Sequence, residues 1–346
     1  MSEKSVRTHD PSFNCYDAEK IPPLQKKSDS MIKLKPLPED GLTLTNSVEI
    51  FHDWLGFCND NSIEKPEFLL PALQRRIELT EFSFLSRSPT METEAVREQI
   101  PKLEPWEYTL DLSGVKTREI DEVTRPEWRF HRFRVDLIAE TLARLLGDRM
   151  LEVELLDIAC HCGVFSLELA ARGARAVRGV DLRPENIAQA RFLQRLYGID
   201  NCTFEVGDAE YLPKREYDVI LNLGLLYHVT FPMQLLQHCY DHCRICCVVD
   251  TNVYNSPFAG FYLVSGKDIS ISCEGKSHAE MLPTYRGLVL AMKTVGFEHV
   301  YELVASDQAN QDIVSFETFN RRVLIGFKQL PENLEQITGA SALHKP

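Results

Sequence analysis

The chain's 346 residues, 44% of them hydrophobic and 26% charged, are enough to bury a sizeable core in one large domain with extensions or in two smaller ones. A formal net charge of −13 argues against an extended grip on a phosphate backbone, which relies on lysine and arginine to release counterions. No apolar run approaches the roughly 20 residues of a membrane helix, and the opening MSEKSVRTHD lacks the basic-then-apolar layout of a secretory leader, so a cytoplasmic protein with no membrane partner is expected.

Residues 1–45 mix Ser, Lys, Pro and Asp without periodicity and read as a flexible segment, as does the tail 331–346. From 46 to 125 an N-terminal extension, mostly helical at first, is expected. Ile50, Phe51, Trp54 and Leu55 within 47–57, then Leu69, Leu70, Leu73 and Ile77 within 66–85, recur at three- and four-residue spacings. Pro126 suits the first turn of a helix running to Leu146, and Gly147 is placed to end it.

An alternation then fills 126–330: strand VELLDIA, helix VFSLELAARG, strand RAVRGVD, helix PENIAQARFLQRLYG, strands CTFEVGD and YDVILNLG, helix FPMQLLQHCYDHC, strand ICCVVDT. After an insertion at 252–282 come the helix YRGLVLAMKTVGF and the strands EHVYELV and RRVLIGFK. Continuously apolar strands between helices signify an α/β fold, a parallel sheet covered on both faces. The ten cysteines do not form a disulfide scaffold, since Cys246 and Cys247 lie in an apolar strand, pointing to opposite faces. Cys243-x-x-Cys246 has ligand spacing but no second pair, so no metal is expected.

In an open parallel sheet, ligands bind at the carboxyl ends of the strands, and the first strand-to-helix turn offers a helix N-terminus to a cofactor. That turn is LLDIACHCGVF, with the triplet Cys160-His161-Cys162 at its centre. It resembles the Asp-x-Gly-x-Gly-x-Gly loop of class I S-adenosylmethionine methyltransferases, with Asp157 at the acid, Gly163 at the last glycine, and Ala159 and His161 at the other two glycine positions. The next strand ends in Asp181, 18 residues after Gly163, where a carboxylate can accept from both ribose hydroxyls. Asp208 ends the third strand and can accept from the adenine amino group. Leu182, Ala209, Asn222 and Leu223, beside these strand ends, and Cys160 in the loop complete the expected donor site.

The fourth strand runs into GLLYHVTFPMQLL, which resembles the Gly-x-Leu-Tyr-His-x-x-x-Pro-x-x-x-Leu segment of the family containing the tRNA wobble-uridine carboxymethyltransferases. Trp128-Arg129-Phe130-His131-Arg132 is similar to that family's run ahead of the first strand, and Leu282-Pro283-Thr284 with Gly296-Phe297 to its late helix. The resemblance covers about 101–300. It implies a Rossmann-like class I methyltransferase fold with a seven-stranded, mostly parallel sheet, and S-adenosyl-L-methionine as donor, with Trp128 and Arg132 near it. Two departures concern the substrate. Pro105-Trp106 precedes Glu107-Tyr108 where the family is basic, and Val229-Thr230 stands where it has two arginines, which counts against a carboxylated donor and against tRNA.

Methyl transfer from a sulfonium is an in-line displacement, so the protein's task is alignment in a site depleted of water. If the acceptor is a hydroxyl, thiol or ammonium, His228 is the candidate base; alternatively Tyr227 and His228 only wall the donor pocket. Arg129 and Arg132, three apart on a helix, can clamp a carboxylate or form a solvated basic face. Tyr254, Phe258, Phe261 and Tyr262 in the insertion can shape an acceptor pocket or simply pack, and Tyr285 and Arg286 begin the next helix within its reach. A small-molecule acceptor is the leading reading, tRNA wobble-uridine modification the second, and a non-catalytic binding protein on the same fold the third.

Overall fold

The computed structural model describes residues 72–75, 82–118, 127–211, 215–265, 279–305, 321–331 and 334, with the side chains of 72–75, 127–130 and 304–305 outside the description. In chain order its elements are β1 (Ala72–Arg75), α1 (Thr93–Gln99), α2 (Glu127–Leu146), β2 (Glu154–Ile158), α3 (Val164–Ala171), β3 (Ala176–Asp181), α4 (Pro184–Leu196) and β4 (Cys202–Val206). They continue with β5 (Tyr217–Leu223), α5 (Pro232–His242), β6 (Cys243–Asn252), β7 (Phe261–Ser265), β8 (Ala279–Pro283), α6 (Tyr285–Val295), β9 (His299–Ala305) and β10 (Arg321–Phe327).

The main sheet has the order β1-β9-β10-β6-β5-β2-β3-β4, and every pairing is parallel except the two made by β10. Seven of these strands are the seven read from the sequence. The eighth, β1, pairs with β9 through Ala72↔Glu302 to Arg75↔Ala305. It corrects the helix expected over 66–85: the free edge of β9 supplies hydrogen-bonding partners that outweigh a local apolar spacing. The helix expected at 47–57 and the flexible segment 1–45 lie outside the described residues, as do Pro126 and nearly all of 331–346.

Alternate side chains of each strand feed two cores. Leu155, Val219, Leu221, Cys246, Val248 and Ile325 pack under α2, α3 and α4, whereas Leu156, Ile158, Ile220, Cys247, Val249 and Leu324 pack under α5 and α6. In α2 the buried face is Val135, Ile138, Leu142 and Leu145, the helical spacing that turns this helix onto the sheet. Residues 82–118 are held to the first of these faces by specific bonds. Ser83 donates from its backbone N and its hydroxyl to Glu168, at 2.7 and 2.8 Å, and Gln189 Nε2 donates to the carbonyls of Leu103 and Pro105, at 2.7 Å each. Inserted between β6 and α6, the hairpin β7–β8 forms a separate two-stranded sheet. No helix among the described residues is long and apolar enough to cross a membrane.

Candidate active site

The turn after β2 keeps the backbone path of a glycine-rich loop with only the last of its three glycines. Ala159, His161 and Gly163 have φ of 57°, 52° and 78°, all left-handed, at the three positions where the loop pattern has glycine. For Ala and His this conformation is strained by roughly 1–2 kcal/mol per residue. The contacts that hold it are visible: Cys160 N donates to Val180 O at 2.9 Å, Gly163 N to Cys160 O at 2.9 Å, and His161 N to Asp181 Oδ2 at 2.8 Å. Gly163 admits no side chain, since a Cβ there would lie 2.6 Å from the Phe204 ring.

Asp181, 7% exposed, also accepts from Arg183 N at 2.9 Å and Asn186 Nδ2 at 3.1 Å, so its carboxylate is locked at the end of β3. Gly207 N donates to Asp181 O, which ties the end of β4 and Asp208 to the same corner, where Leu182 is exposed and Ala209 buried. Asp157 lies beneath the loop, 2% exposed, accepting from Ser166 Oγ at 2.7 Å, and burial pushes its carboxyl up to about 7. It ties the end of β2 to α3. Burial raises the thiols of Cys160 and Cys162 far above their ordinary range and lowers His161 to about 4, so the triplet is neutral, not a thiolate site. Among the described residues no three His, Cys, Asp or Glu side chains group as a metal site.

The His161 ring packs against Tyr108, with centroids 5.8 Å apart, and Tyr108 against His131, 4.8 Å apart. Both ring nitrogens of His161 are buried without a hydrogen-bond partner among the described residues. Tyr108 went unrecognised as a site residue in the sequence, where it entered only as a departure from a basic motif.

Beyond β5 lies a buried charge cluster that sequence reasoning also missed. Asp250, fully buried at the end of β6, accepts from Arg134 Nε at 2.6 Å and Arg321 Nε at 2.6 Å, and pairs with Arg134 Nη2 as well. Burial alone would raise its carboxyl, but Arg134 and Arg321 hold it below the usual carboxylate value. Burial, Arg134 and Arg321 together depress His131 to about 3, so this ring is neutral. The signal was a lone acid closing the apolar run ICCVVDT, because a carboxylate buried there needs a cation. A Cβ on Gly224 would lie 2.8 Å from Arg321 Nη2 and 3.8 Å from Arg134 Nη2. Arg321 also hydrogen-bonds Tyr227, with its guanidinium 5.8 Å from the ring centre. Two guanidiniums therefore stand near Tyr227, although Val229 and Thr230 replace the two arginines of the resembling family.

Arg132 does not share this clamp. Two residues from Arg134, it lies about 200° around the helix, pairing with Asp136 at 3.3 Å over the Phe82 ring and lining a cavity of about 110 Å³ with Tyr108, Thr109 and His131. Trp128 and Arg129 occupy the first turn of α2, and their side chains lie outside the described residues. Asn222 is fully buried toward α5, with Nδ2 3.8 Å from Cys239 Sγ, so it belongs to the core and not to the cleft expected for it; its neighbour Leu223 packs against the opposite core.

Tyr227 and His228 sit in a short 3-10 turn with ring centroids 3.9 Å apart, and His228 is 7% exposed. Its Nδ1 lies 3.1 Å from Glu280 Oε1, on β8 of the hairpin, at ion-pair distance without hydrogen-bond alignment. Tyr254 and Tyr262 stack at 4.2 Å and Tyr262 OH meets Ser256 Oγ at 3.0 Å, while Phe258 faces solvent. Tyr285 OH is engaged at 2.9 Å by Glu302 on β9, and Arg286 has a buried Nη2 without a hydrogen bond among the described residues.

Residues 155–245 match the family model described as a methyltransferase domain. The tRNA U34 carboxymethyltransferase of Alteromonas mediterranea is 26% identical over 196 residues, 52% of this chain and 52% of that protein. The O-antigen chain terminator bifunctional methyltransferase/kinase WbdD of Escherichia coli is 38% identical over 117 residues, 30% of this chain and 16% of that protein. The chain thus spans at most about half the length of these curated relatives. The crystal structure of the N-terminal domain of EvdMO1, in the presence of SAH and D-fucose, has a TM-score of 0.54 at 19% identity, covering 69% of this chain and 98% of that one. The sheet order is that of the Rossmann-like class I methyltransferase fold, residues 155–245 match the methyltransferase-domain model, and the chain is similar to the tRNA wobble-uridine carboxymethyltransferases.

Proposed function

We propose that the chain is an S-adenosylmethionine-dependent methyltransferase that acts on an O, N or S nucleophile of a small molecule. The observation that carries the donor half is the loop of three left-handed residues clasped to Asp181 through His161 N. That geometry brings backbone close to a ligand and sets a carboxylate where ribose hydroxyls can donate to it. Bound S-adenosylmethionine supplies an electrophilic methyl on a sulfonium. Asp181 would hold the ribose, Asp208 the adenine, and the Arg134–Arg321 pair an anionic group of donor or acceptor. His228 would take the acceptor proton.

The small-molecule half is supported by the hairpin, whose Glu280 stands 3.1 Å from His228 and so brings β8 against the candidate base. The EvdMO1 domain crystallised with D-fucose is compatible with it. The second reading, modification of a tRNA wobble uridine, is favoured by the Alteromonas relative and by the two buried guanidiniums, which make a carboxylated donor tenable again. The net charge of −13 weighs against tRNA.

Calorimetry with S-adenosylmethionine and S-adenosylhomocysteine tests the donor, and an absence of heat with both removes the enzyme reading in favour of a non-catalytic binding protein. Asp181→Ala is expected to weaken donor binding by about 1.5–3 kcal/mol, the scale of a hydrogen bond to a charged group. Labelled-donor turnover with metabolite extract and with unmodified tRNA then separates the acceptors; a labelled tRNA would overturn the small-molecule reading.

A further inference from the structure

Glu280 reaches the site from β8, in the hairpin inserted after β6, and stands at 3.1 Å from Nδ1 of His228. We propose that Glu280 is the positioning residue for His228. The two groups stand at hydrogen-bond distance but out of alignment, and a small rotation of ring or carboxylate lets Glu280 accept the Nδ1 proton, which fixes the tautomer whose Nε2 lone pair is free to receive a proton from the acceptor. The use of that lone pair rests on the methyl-transfer reading; the tautomer itself does not.

Three observations support the pairing. Both side chains are withdrawn from water, at 7% and 15% exposure, so neither is well solvated in place of the other. The hairpin is also pinned at its base, with Tyr254 N donating to Pro283 O at 2.7 Å and Thr284 N to Gly260 O at 2.9 Å, so Glu280 is presented by a fixed strand and not by a free loop. The third is the charge about the ring. His228 lies against Tyr227, which hydrogen-bonds Arg321, whose charge is shared with Asp250, and Glu280 is the carboxylate at ion-pair distance from the imidazole. Among the described residues Glu280 is thus the one charged group within ion-pair distance of the His228 ring, and it is the acceptor available to Nδ1.

The step balances without a further reactant. The acceptor's lone pair bonds to the methyl carbon, the carbon–sulfur bond breaks with its pair left on sulfur, and the acceptor proton moves to Nε2 and then to water.

The test is spectroscopic and needs no acceptor. The full chain, labelled with 15N-histidine, is examined by long-range proton–nitrogen correlation, with His228 assigned through His228→Gln. His228 is expected as the Nδ1–H form in the wild type and in Glu280→Gln, whose amide oxygen still accepts, and to lose that form in Glu280→Ala. A wild-type His228 protonated on Nε2, or a tautomer unmoved by Glu280→Ala, overturns the proposal, and the wild-type spectrum decides even if the alanine variant does not fold. Failure of the methyl-transfer reading registers separately, as an absence of calorimetric heat with S-adenosylhomocysteine.

Discussion

Asp157→Asn isolates the cost of the acid beneath the donor loop. Asp157 is 2% exposed, and burial, reinforced by the nearby Asp181, outweighs the Ser166 hydrogen bond and lifts its carboxyl from 3.8 to about 7. Below about pH 4 folded and unfolded chains both carry the proton, and the residue does not distinguish them. Between pH 4 and 7 the unfolded chain has released it while the folded chain retains it, so stability falls as pH rises; above 7 the folded chain carries a desolvated charge and the loss is complete. From 3.8 to about 7, at about 1.4 kcal/mol per pH unit, the loss is on the order of 4 kcal/mol. Asparagine cannot ionise, and any cost of its unpaired amide is independent of pH. Urea unfolding of both proteins at pH 4.5 and pH 8 should show the variant gaining on the wild type by about 3–4 kcal/mol between the two conditions. A difference that stays constant within about 1 kcal/mol would refute the reasoning, because the carboxyl would then titrate alike in both states. Asp136, raised by burial to about 6, shifts both proteins equally and cancels in the comparison.

Gly163→Ala combines a left-handed φ with a Cβ 2.6 Å from Phe204, and is expected to destabilise by about 2–5 kcal/mol in urea unfolding; a loss under about 1 would show that the loop relaxes. Asp250→Ala removes the carboxylate that two buried guanidiniums share and should cost about 3–5 kcal/mol, whereas Arg134→Met, which leaves the Arg321–Asp250 pair balanced, should cost clearly less. Equal losses would mean that the three do not act as one cluster. His161→Gly relieves a left-handed strain and removes a ring from the loop, so S-adenosylhomocysteine should bind several-fold more tightly by calorimetry. Weaker binding would show that the ring contacts the ligand.

The alternation of strands and helices was legible because a doubly covered sheet demands continuously apolar strands, which ELLDI, YDVILNL and CRICCVVDTN provide. The glycine-type turn was legible from its flanking acids even though two glycines are absent: Ala159 and His161 hold the glycine conformation, and Asp181 clasps His161 through its backbone N. What stayed hidden depends on distance and on phase. Arg134 and Asp250 are 116 positions apart and Arg321 and Asp250 71 apart, and no local pattern joins them. Spacing along α2 shows which residues share a face but not which face meets the sheet, so Arg132 stood in for Arg134. The edge strand β1 was hidden in a helical spacing because its stabilising partner, β9, lies more than 200 residues on.

Strand β10 runs against its neighbours, and so its first residue, Arg321, arrives at the end of the sheet where the other strands finish. During synthesis the chain up to residue 320 already holds Arg134 and Asp250, a self-neutral couple. The next residue tips that couple to a net positive charge beside Gly224 and Tyr227. The anion site proposed for the Arg134–Arg321 pair is therefore assembled only with the strand that closes the gap between β6 and β9.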